Sequence, residues 1–391
     1  MRDLLYMAWR YLAYHRIKTI ILVLSITLIV FLPAGLKILV GESAESLTAR
    51  AESTPLLVGA KGSPLELVLN SLYFESDTPP PIPFAETQRV TDSKLATAIP
   101  LYTRFRARGF PIVGTSLDYF DFRELTIAEG RQIALIGECV LGSAVAEELD
   151  RGAGAAVVSS SESAFDLAGV YPLKMHIVGV LAPKGTADDR AIFVDLKTAW
   201  IIQGLAHGHQ DLAQPEAADG VLKRDGNVVV ANASVMQFNE ITPDNMDSFH
   251  FHGDPAEFPI TAVIAVPHDS KSATLLQGQY LGPDEQVQLV LPTSVMDDLL
   301  ATILTVQNYV LAGAMVIGLS ALMTAVLVFM LSLRLRKREI ETMHRIGSSR
   351  RRVTALLSLE IIIVLLSGIL LAALLTVLAS QFGEGLIRSF I

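Results

Sequence analysis

Two short clusters in the middle of the chain have the residue types and spacing for metal chemistry. They read His207-Gly-His209-Gln-Asp211 and His250-Phe-His252-Gly-Asp254. Alternate side chains of an extended segment point the same way, so each His-x-His can offer two imidazoles to one ion. Pooled, His207, His209, His250 and His252 would be a donor set for tetrahedral zinc, with Asp211 or Asp254 as a spare oxygen ligand. The same residues equally suit a solvated polar loop, and whether the two clusters meet is not written in the sequence. No Ser/His/Asp triad, paired carboxylates or Cys-x-x-Cys accompanies them, and no Gly-x4-Gly-Lys-Ser/Thr loop occurs anywhere. The chain is therefore expected to be no enzyme, to have no catalytic residues, and to bind no cofactor of its own beyond such a zinc ion.

The elements that must position these histidines follow from the apolar residues. Of 391 residues, 51% are apolar, which is high for a soluble protein. The excess sits in three runs, at 19–36, 310–333 and 353–379, each about long enough to cross a ~30 Å hydrocarbon core. The first run exceeds the roughly 7–15 residues of a signal-peptide core and no small-x-small site follows it, which predicts an uncleaved anchor.

The net charge of −9 conceals an asymmetry. Between the first two apolar runs, residues 41–304 hold roughly 35 acids against roughly 17 bases. Residues 1–18 and 334–352 are basic, the latter with about eight Lys/Arg. Basic flanks stay inside, which predicts a cytoplasmic N-terminus and an exported acidic domain. An acidic exported domain repels phosphate, so nucleic acid is excluded as a partner. The lone cysteine, Cys139, cannot form an internal disulfide, and its apolar neighbours predict a buried thiol.

These boundaries give seven pieces. An interfacial amphipathic helix (1–18) has Leu4, Leu5, Ala8 and Leu12 on one side and Tyr6, Trp9, Tyr11 and Tyr14 at headgroup depth. A first span (19–40) precedes the exported α+β domain (41–304). Then come a second span (305–333), a basic loop (334–352), a third span (353–380) and an exported tail (381–391). Within the domain, period and composition predict strands at 56–58, 98–102, 110–113, 133–136, 155–158, 175–180, 191–194, 228–231, 260–266 and 287–291. Helices are expected at 140–151 and 196–203, and one from Pro292 runs without a break into the second span. Ser63-Pro64-Leu65-Glu66 is a capping box with proline at the first helical position. The histidine clusters fall in loop-rich stretches at 204–225 and 239–257.

Two features remain. In the basic loop Ile340, Met343 and Ile346/Gly347 share a helical face, as in a helix that lies on lipid or docks on a cytosolic partner; a solvated loop is the plainer alternative. In the third span, Glu360 is an intramembrane carboxylate, which either works or pairs with Arg351, Arg352 or another helix.

The order of these pieces, with Arg-Glu-Ile-Glu-Thr-Met-His-Arg-Ile-Gly-Ser-Ser-Arg-Arg-Arg-Val at 338–353, resembles the FtsX-like permeases of the MacB type, membrane subunits of ABC transporters. Arg336, Glu339, Ile340, Gly347, Ser349 and Arg350 match the family pattern after the second span. His344 stands where Arg is common and Arg345 where Ala is usual, so the charge has moved by one residue. Ile346, Ser348 and Val353 are mild changes, and 57–69 also looks like a subgroup of these permeases. The resemblance implies a bacterial plasma-membrane protein whose exported part is a MacB-like periplasmic core domain. It further implies a permease dimer docked on separate cytoplasmic ATPase subunits that hold ATP and magnesium, with a periplasmic adaptor or substrate-binding protein as a further partner. Arg336, Glu339, Ile340, Met343, His344, Arg345, Ile346 and Gly347 would couple ATP hydrolysis to movement of the exported domain, for export or extraction at the cell envelope. A signalling role on an extracytoplasmic partner, or zinc-linked transport through the His-x-His loops, are the alternatives. One departure stands: the family pattern has a fourth span, and three are expected here.

Overall fold

A computed structural model describes residues 2–75, 77–160, 172–208, 221–225, 228–231, 238–283 and 285–390. Helices α1 (Arg2–Tyr14) and α2 (Arg16–Glu52) come first. Next are β1 (Leu56–Ala60), α3 (Pro64–Tyr73), β2 (Ile82–Pro83), α4 (Ala85–Asp92), β3 (Ala96–Ala107), β4 (Phe110–Thr115) and α5 (Asp118–Phe122). The chain continues through β5 (Ile127–Gly130), β6 (Glu138–Leu141), α6 (Ser143–Leu149), β7 (Ala156–Val158), β8 (Lys174–Leu181), β9 (Ile192–Asp195) and α7 (Leu196–Gln203). Short strands follow: β10 (Ala206–His207), β11 (Val221–Asp225), β12 (Val228–Ala231), β13 (His250–Phe251) and β14 (Pro259–Ile260). Finally come β15 (Ala262–Pro267), α8 (Ser270–Gln279), β16 (Val287–Val290), α9 (Pro292–Leu335), α10 (Lys337–Arg345) and α11 (Arg350–Phe390).

The chain divides into two compact units, Thr48–Asp297 and Met1–Leu47 with Asp298–Ile391. In the first, ten strands among the described residues form one sheet, ordered β16-β1-β15-β3-β4-β9-β6-β8-β5 with β7 also on β8. Pairs β4–β9 and β6–β8 are parallel and the others antiparallel, a mixed α+β arrangement. The core joins Val58, Ile112, Leu141, Ile192, Val194 and Val263 of the strands to Ala199, Trp200 and Ile202 of α7. Gly114 lets α7 lie close, since a Cβ there would stand 2.5 Å from Ala199 Cβ. Each buried Leu, Ile or Val contributes roughly 1.5–3 kcal/mol, so this unit needs no disulfide; Cys139 is buried within it.

Several sequence expectations hold locally. Ser63 Oγ accepts from Glu66 N–H at 3.3 Å at the start of α3. The helix from Pro292 runs unbroken to Leu335. Two expectations are corrected. Residues 133–136 are not a strand, because the amides of Ala134 and Leu135 donate to the Glu138 carboxylate at 2.9 and 3.0 Å instead of to a neighbouring strand. The helix expected from Val140 begins at Ser143, because Val140 and Leu141 are bound in β6 between β8 and β9. Gly142 makes the corner; a Cβ there would meet Asp189 O at 2.3 Å.

In the second unit, three helices among the described residues are long and apolar enough to cross a membrane, with bounds Arg16–Ile38, Pro292–Leu335 and Arg350–Gln381. Small residues set their spacing. A Cβ on Gly368 of α11 would stand 2.6 Å from Ile26 Cγ2 of α2, and one on Gly318 of α9 would stand 3.2 Å from Ile29 Cγ2. Thr27 Oγ1 donates across to Gly368 O at 3.1 Å. α2 also carries Pro33 in its interior. α1 packs along α11, with Ala8 and Leu12 turned inward and Leu5, Tyr6, Trp9 and Tyr14 exposed.

Candidate functional site

The basic loop folds around a break at Arg336, whose backbone (φ −86°, ψ 4°) separates α9 from α10. Its side chain turns inward. Nη1 lies 3.2 and 2.9 Å from the two carboxylate oxygens of Glu360 on α11. The guanidinium also sits 3.6 Å from the ring centroid of Tyr11 on α1, a cation–π contact. Arg336 and Glu360 are 9% and 5% exposed. Close by, Lys18 of α2 donates from Nζ to Ser332 Oγ of α9 and lies 5.5 Å from the Phe329 centroid. Thus Glu360 takes a partner from the α9–α10 junction, in line with the expectation that it pairs with another helix. A buried charge without such a partner would be strongly unfavourable.

Outward from this root, α10 carries the other residues singled out from sequence. Ile340 and Met343 are half-buried, His344 and Arg345 are exposed, and Ile346 is 77% exposed. Glu339 lies on the same helix. Gly347 ends it in the left-handed region (φ +96°). That conformation lets Ser348 N–H reach back to Met343 O at 3.0 Å and Gly347 N–H to His344 O at 3.1 Å, a glycine C-cap. His344 Nδ1 closes the turn on Ser348 O at 3.1 Å.

The histidines form a second locus, in the domain. β10 and β13 pair antiparallel with His207 opposite His250, and His252 N–H donates to Leu205 O at 3.0 Å just beyond. Strand alternation puts His250 and His252 on one side and Phe251 on the other. Phe251 packs on Trp200 and Phe258, with centroids 6.4 and 5.9 Å away. One ligand atom from each of His207, His250 and His252 lies within 4.8 Å of the others. Asp254 Oδ1 accepts from Ala256 N–H at 2.9 Å as a helical cap. His209 and Asp211 lie outside the described residues.

Sequence reasoning missed a third constellation. Arg50, at the end of α2, is buried and donates from its two Nη atoms to Asp188 at 2.7 and 2.8 Å and to Tyr119 Oη at 3.0 Å. Tyr119 donates in turn to Asp188 at 2.8 Å, and Arg123 donates to Ser53 and Thr54 at 2.9 and 2.7 Å. Burial pushes the Asp188 carboxyl up, but the charge and hydrogen bonds of Arg50 outweigh it and hold the group down at about 2. Burial pushes the Tyr119 hydroxyl well up. The sequence signal was slight: an arginine in an otherwise polar helical extension and a paired Asp188-Asp189.

A bundle of membrane-crossing helices joined by a basic turn, with an α+β domain inserted after the first, defines a membrane protein with an extracytoplasmic domain. The comparisons refine this. Residues 19–236 match the MacB-like periplasmic core domain and residues 310–387 the FtsX-like permease C-terminal domain. The chain belongs to the FtsX/MacB-type family of ABC transporter permeases. No curated protein matches it. Among solved structures, the periplasmic region of MacB from Actinobacillus actinomycetemcomitans is similar at 9% identity and TM-score 0.35, covering 63% of this chain and 94% of that one. The extracellular domain of the noncanonic ABC-type transporter YknZ from Gram-positive bacteria is similar at 12% identity and TM-score 0.33, covering 60% and 98%.

Proposed function

We propose that the chain is the membrane subunit of a transporter driven by a separate cytoplasmic ATPase, with α10 as the element that the ATPase grips. The supporting observation is α10 itself, a short helix set off by the Arg336 break and the Gly347 cap between two helices able to span a membrane. The basic charge of the segment around it supports a position on the cytoplasmic side of a bacterial plasma membrane, together with the N-terminus. Ile340, Met343 and Ile346 supply the apolar centre of the contact and His344 and Arg345 polar surroundings, while Arg336 anchors the helix from its buried side. Two such chains side by side would face two ATPase subunits, which hold the ATP and magnesium.

In this reading hydrolysis displaces α10. Because Arg336 is clamped to Glu360 and Tyr11, the displacement reaches α1 and α11 and not α9 alone. α2 carries movement outward, where Arg50 fixes its last turn within the domain. This is mechanical transmission by a two-state element biased by nucleotide in the partner, serving export or extraction at the cell envelope.

The test is copurification from native membranes of a P-loop ATPase whose activity depends on this chain. Ile340→Asp and Gly347→Trp are each expected to abolish both association and stimulated hydrolysis while leaving circular dichroism unchanged. Retention of both properties in both variants would overturn the assignment.

A further inference from the structure

We propose that His207, His250 and His252 form a binding site for a divalent transition-metal ion, zinc foremost, on the extracytoplasmic domain. Three independent features carry this beyond a chance grouping of polar residues. First, the donors come from two segments separated by about forty positions in the chain, and β-pairing brings them together: His207 and His250 are direct cross-strand partners. Residues opposite one another in an antiparallel pair have Cβ atoms about 4.5–5.5 Å apart, the separation at which two imidazoles can turn toward one ion.

Second, the scaffold is fixed from behind. Phe251, between the two β13 histidines, is anchored in the cluster of Trp200 and Phe258. Trp200 Nε1 donates to Pro259 O at 2.8 Å. Gly208 removes a Cβ that would stand 2.6 Å from the Phe249 ring, so the two strands close up beside His207. The apolar face thus holds the strand in the orientation that presents the histidines.

Third, the tautomer is set. His250 Nδ1 lies 3.0 Å from Ser248 O. A carbonyl only accepts, so this contact favours the tautomer with the proton on Nδ1, which makes Nε2 the nitrogen able to ligate a metal. A backbone carbonyl bonded to the far nitrogen is the usual outer support of a metal-bound imidazole.

The chemistry selects the ion. Among the described residues the donors are three imidazoles, a nitrogen set unlike the oxygen donors that calcium and magnesium take. Neutral nitrogen donors suit zinc, copper and nickel, and tetrahedral geometry suits zinc. Ligands at roughly 2.0–2.1 Å from zinc stand about 3.3 Å from one another, so the rings need to close by at most about 1.5 Å. The exposed side chains of His250 and His252 leave room for that rotation. Among the described residues the site supplies three protein donors, one fewer than a closed structural zinc site.

The test uses the full-length chain in lipid nanodiscs, stripped by chelator and titrated with Zn²⁺ against a chromophoric competitor. One ion per chain is expected. His250→Ala and His252→Ala should each weaken binding by at least the roughly 10–100-fold that follows loss of a mere supporting contact. His268→Ala, outside the cluster, should leave affinity unchanged. Unchanged affinity in the triple His207/His250/His252→Ala variant, or no zinc bound by the wild type, would overturn the proposal. Should the alanine variants misfold, Co²⁺ added to the wild type decides: the intense visible bands of a tetrahedral nitrogen site support it, and the weak spectrum of the aqueous ion overturns it. Neither outcome touches α10, whose variants test the ATPase contact separately.

Discussion

Glu360 of α11 is bound by Arg336, which lies twenty-four positions earlier at the break between α9 and α10, and both groups are buried. Removing one partner leaves the other charge buried without this ion pair, at a cost of about 3–5 kcal/mol. Glu360→Ala is therefore expected to lower the melting temperature of the full chain in nanodiscs sharply. Tyr11→Leu, which removes only the ring beneath the guanidinium, should cost about 2 kcal/mol or less. A Glu360→Ala protein that melts with the wild type would show that the pair carries no such energy.

Gly347 holds φ at +96° with open space around its missing Cβ. Strain and not collision therefore governs substitution, about 1–2 kcal/mol for an ordinary residue in the left-handed region. Asparagine tolerates that region better than alanine. Amide exchange across 342–348 should accelerate in the order Gly, Asn, Ala. Equal protection in all three would mean that the turn does not depend on this backbone conformation.

Asp188 titrates near 3.8 when unperturbed and at about 2 in the fold. A lowered folded value means that the carboxylate stabilises above pH 3.8 and that this contribution fades as pH falls toward 2. At about 1.4 kcal/mol per unit it amounts to roughly 2–3 kcal/mol. Asp188→Asn, which leaves Arg50 buried beside a neutral amide, should melt below the wild type at pH 7, with the gap narrowing between pH 4 and pH 2. A gap independent of pH would refute this account.

Cys139 lies wholly inside the sheet, and burial pushes its thiol up from its ordinary value. Only the thiolate reacts. Maleimide labelling at pH 8, followed by intact mass, should run roughly 100-fold or more slower in the folded chain than in denaturant. Rapid labelling of the native protein would place the thiol at a surface.

What could be read in advance divides by the range of the interactions concerned. Ser63, Pro64 and Glu66 announced α3 because a helix cap is satisfied within four residues. The apolar runs announced the long helices because length and apolar composition are both read directly from the chain. Residues 133–136 misled because their β-type composition competes with Glu138, whose carboxylate captures their amides and accepts from Arg131. Alternation placed His250 and His252 on one side of a strand, but the pairing of His207 with His250 depends on a strand register that no local pattern encodes. Glu360 stood out as an intramembrane carboxylate, yet its partner is settled by how α9 and α11 pack. Arg50 was overlooked for the same reason, since Asp188 is distant in sequence.

Pro33 weakens the backbone of α2 at one point in its interior. It donates no N–H, and its ring crowds the carbonyl four residues back, at Ile29. Ile29 is the residue that Gly318 of α9 approaches most closely. The compliant joint of this helix therefore rests against a neighbour that restricts the directions in which it can flex. α2 should behave as two stiff segments sharing a guided bend, so that a small shift of α9 at Gly318 is converted into a change of angle along α2 and not dissipated as local fraying.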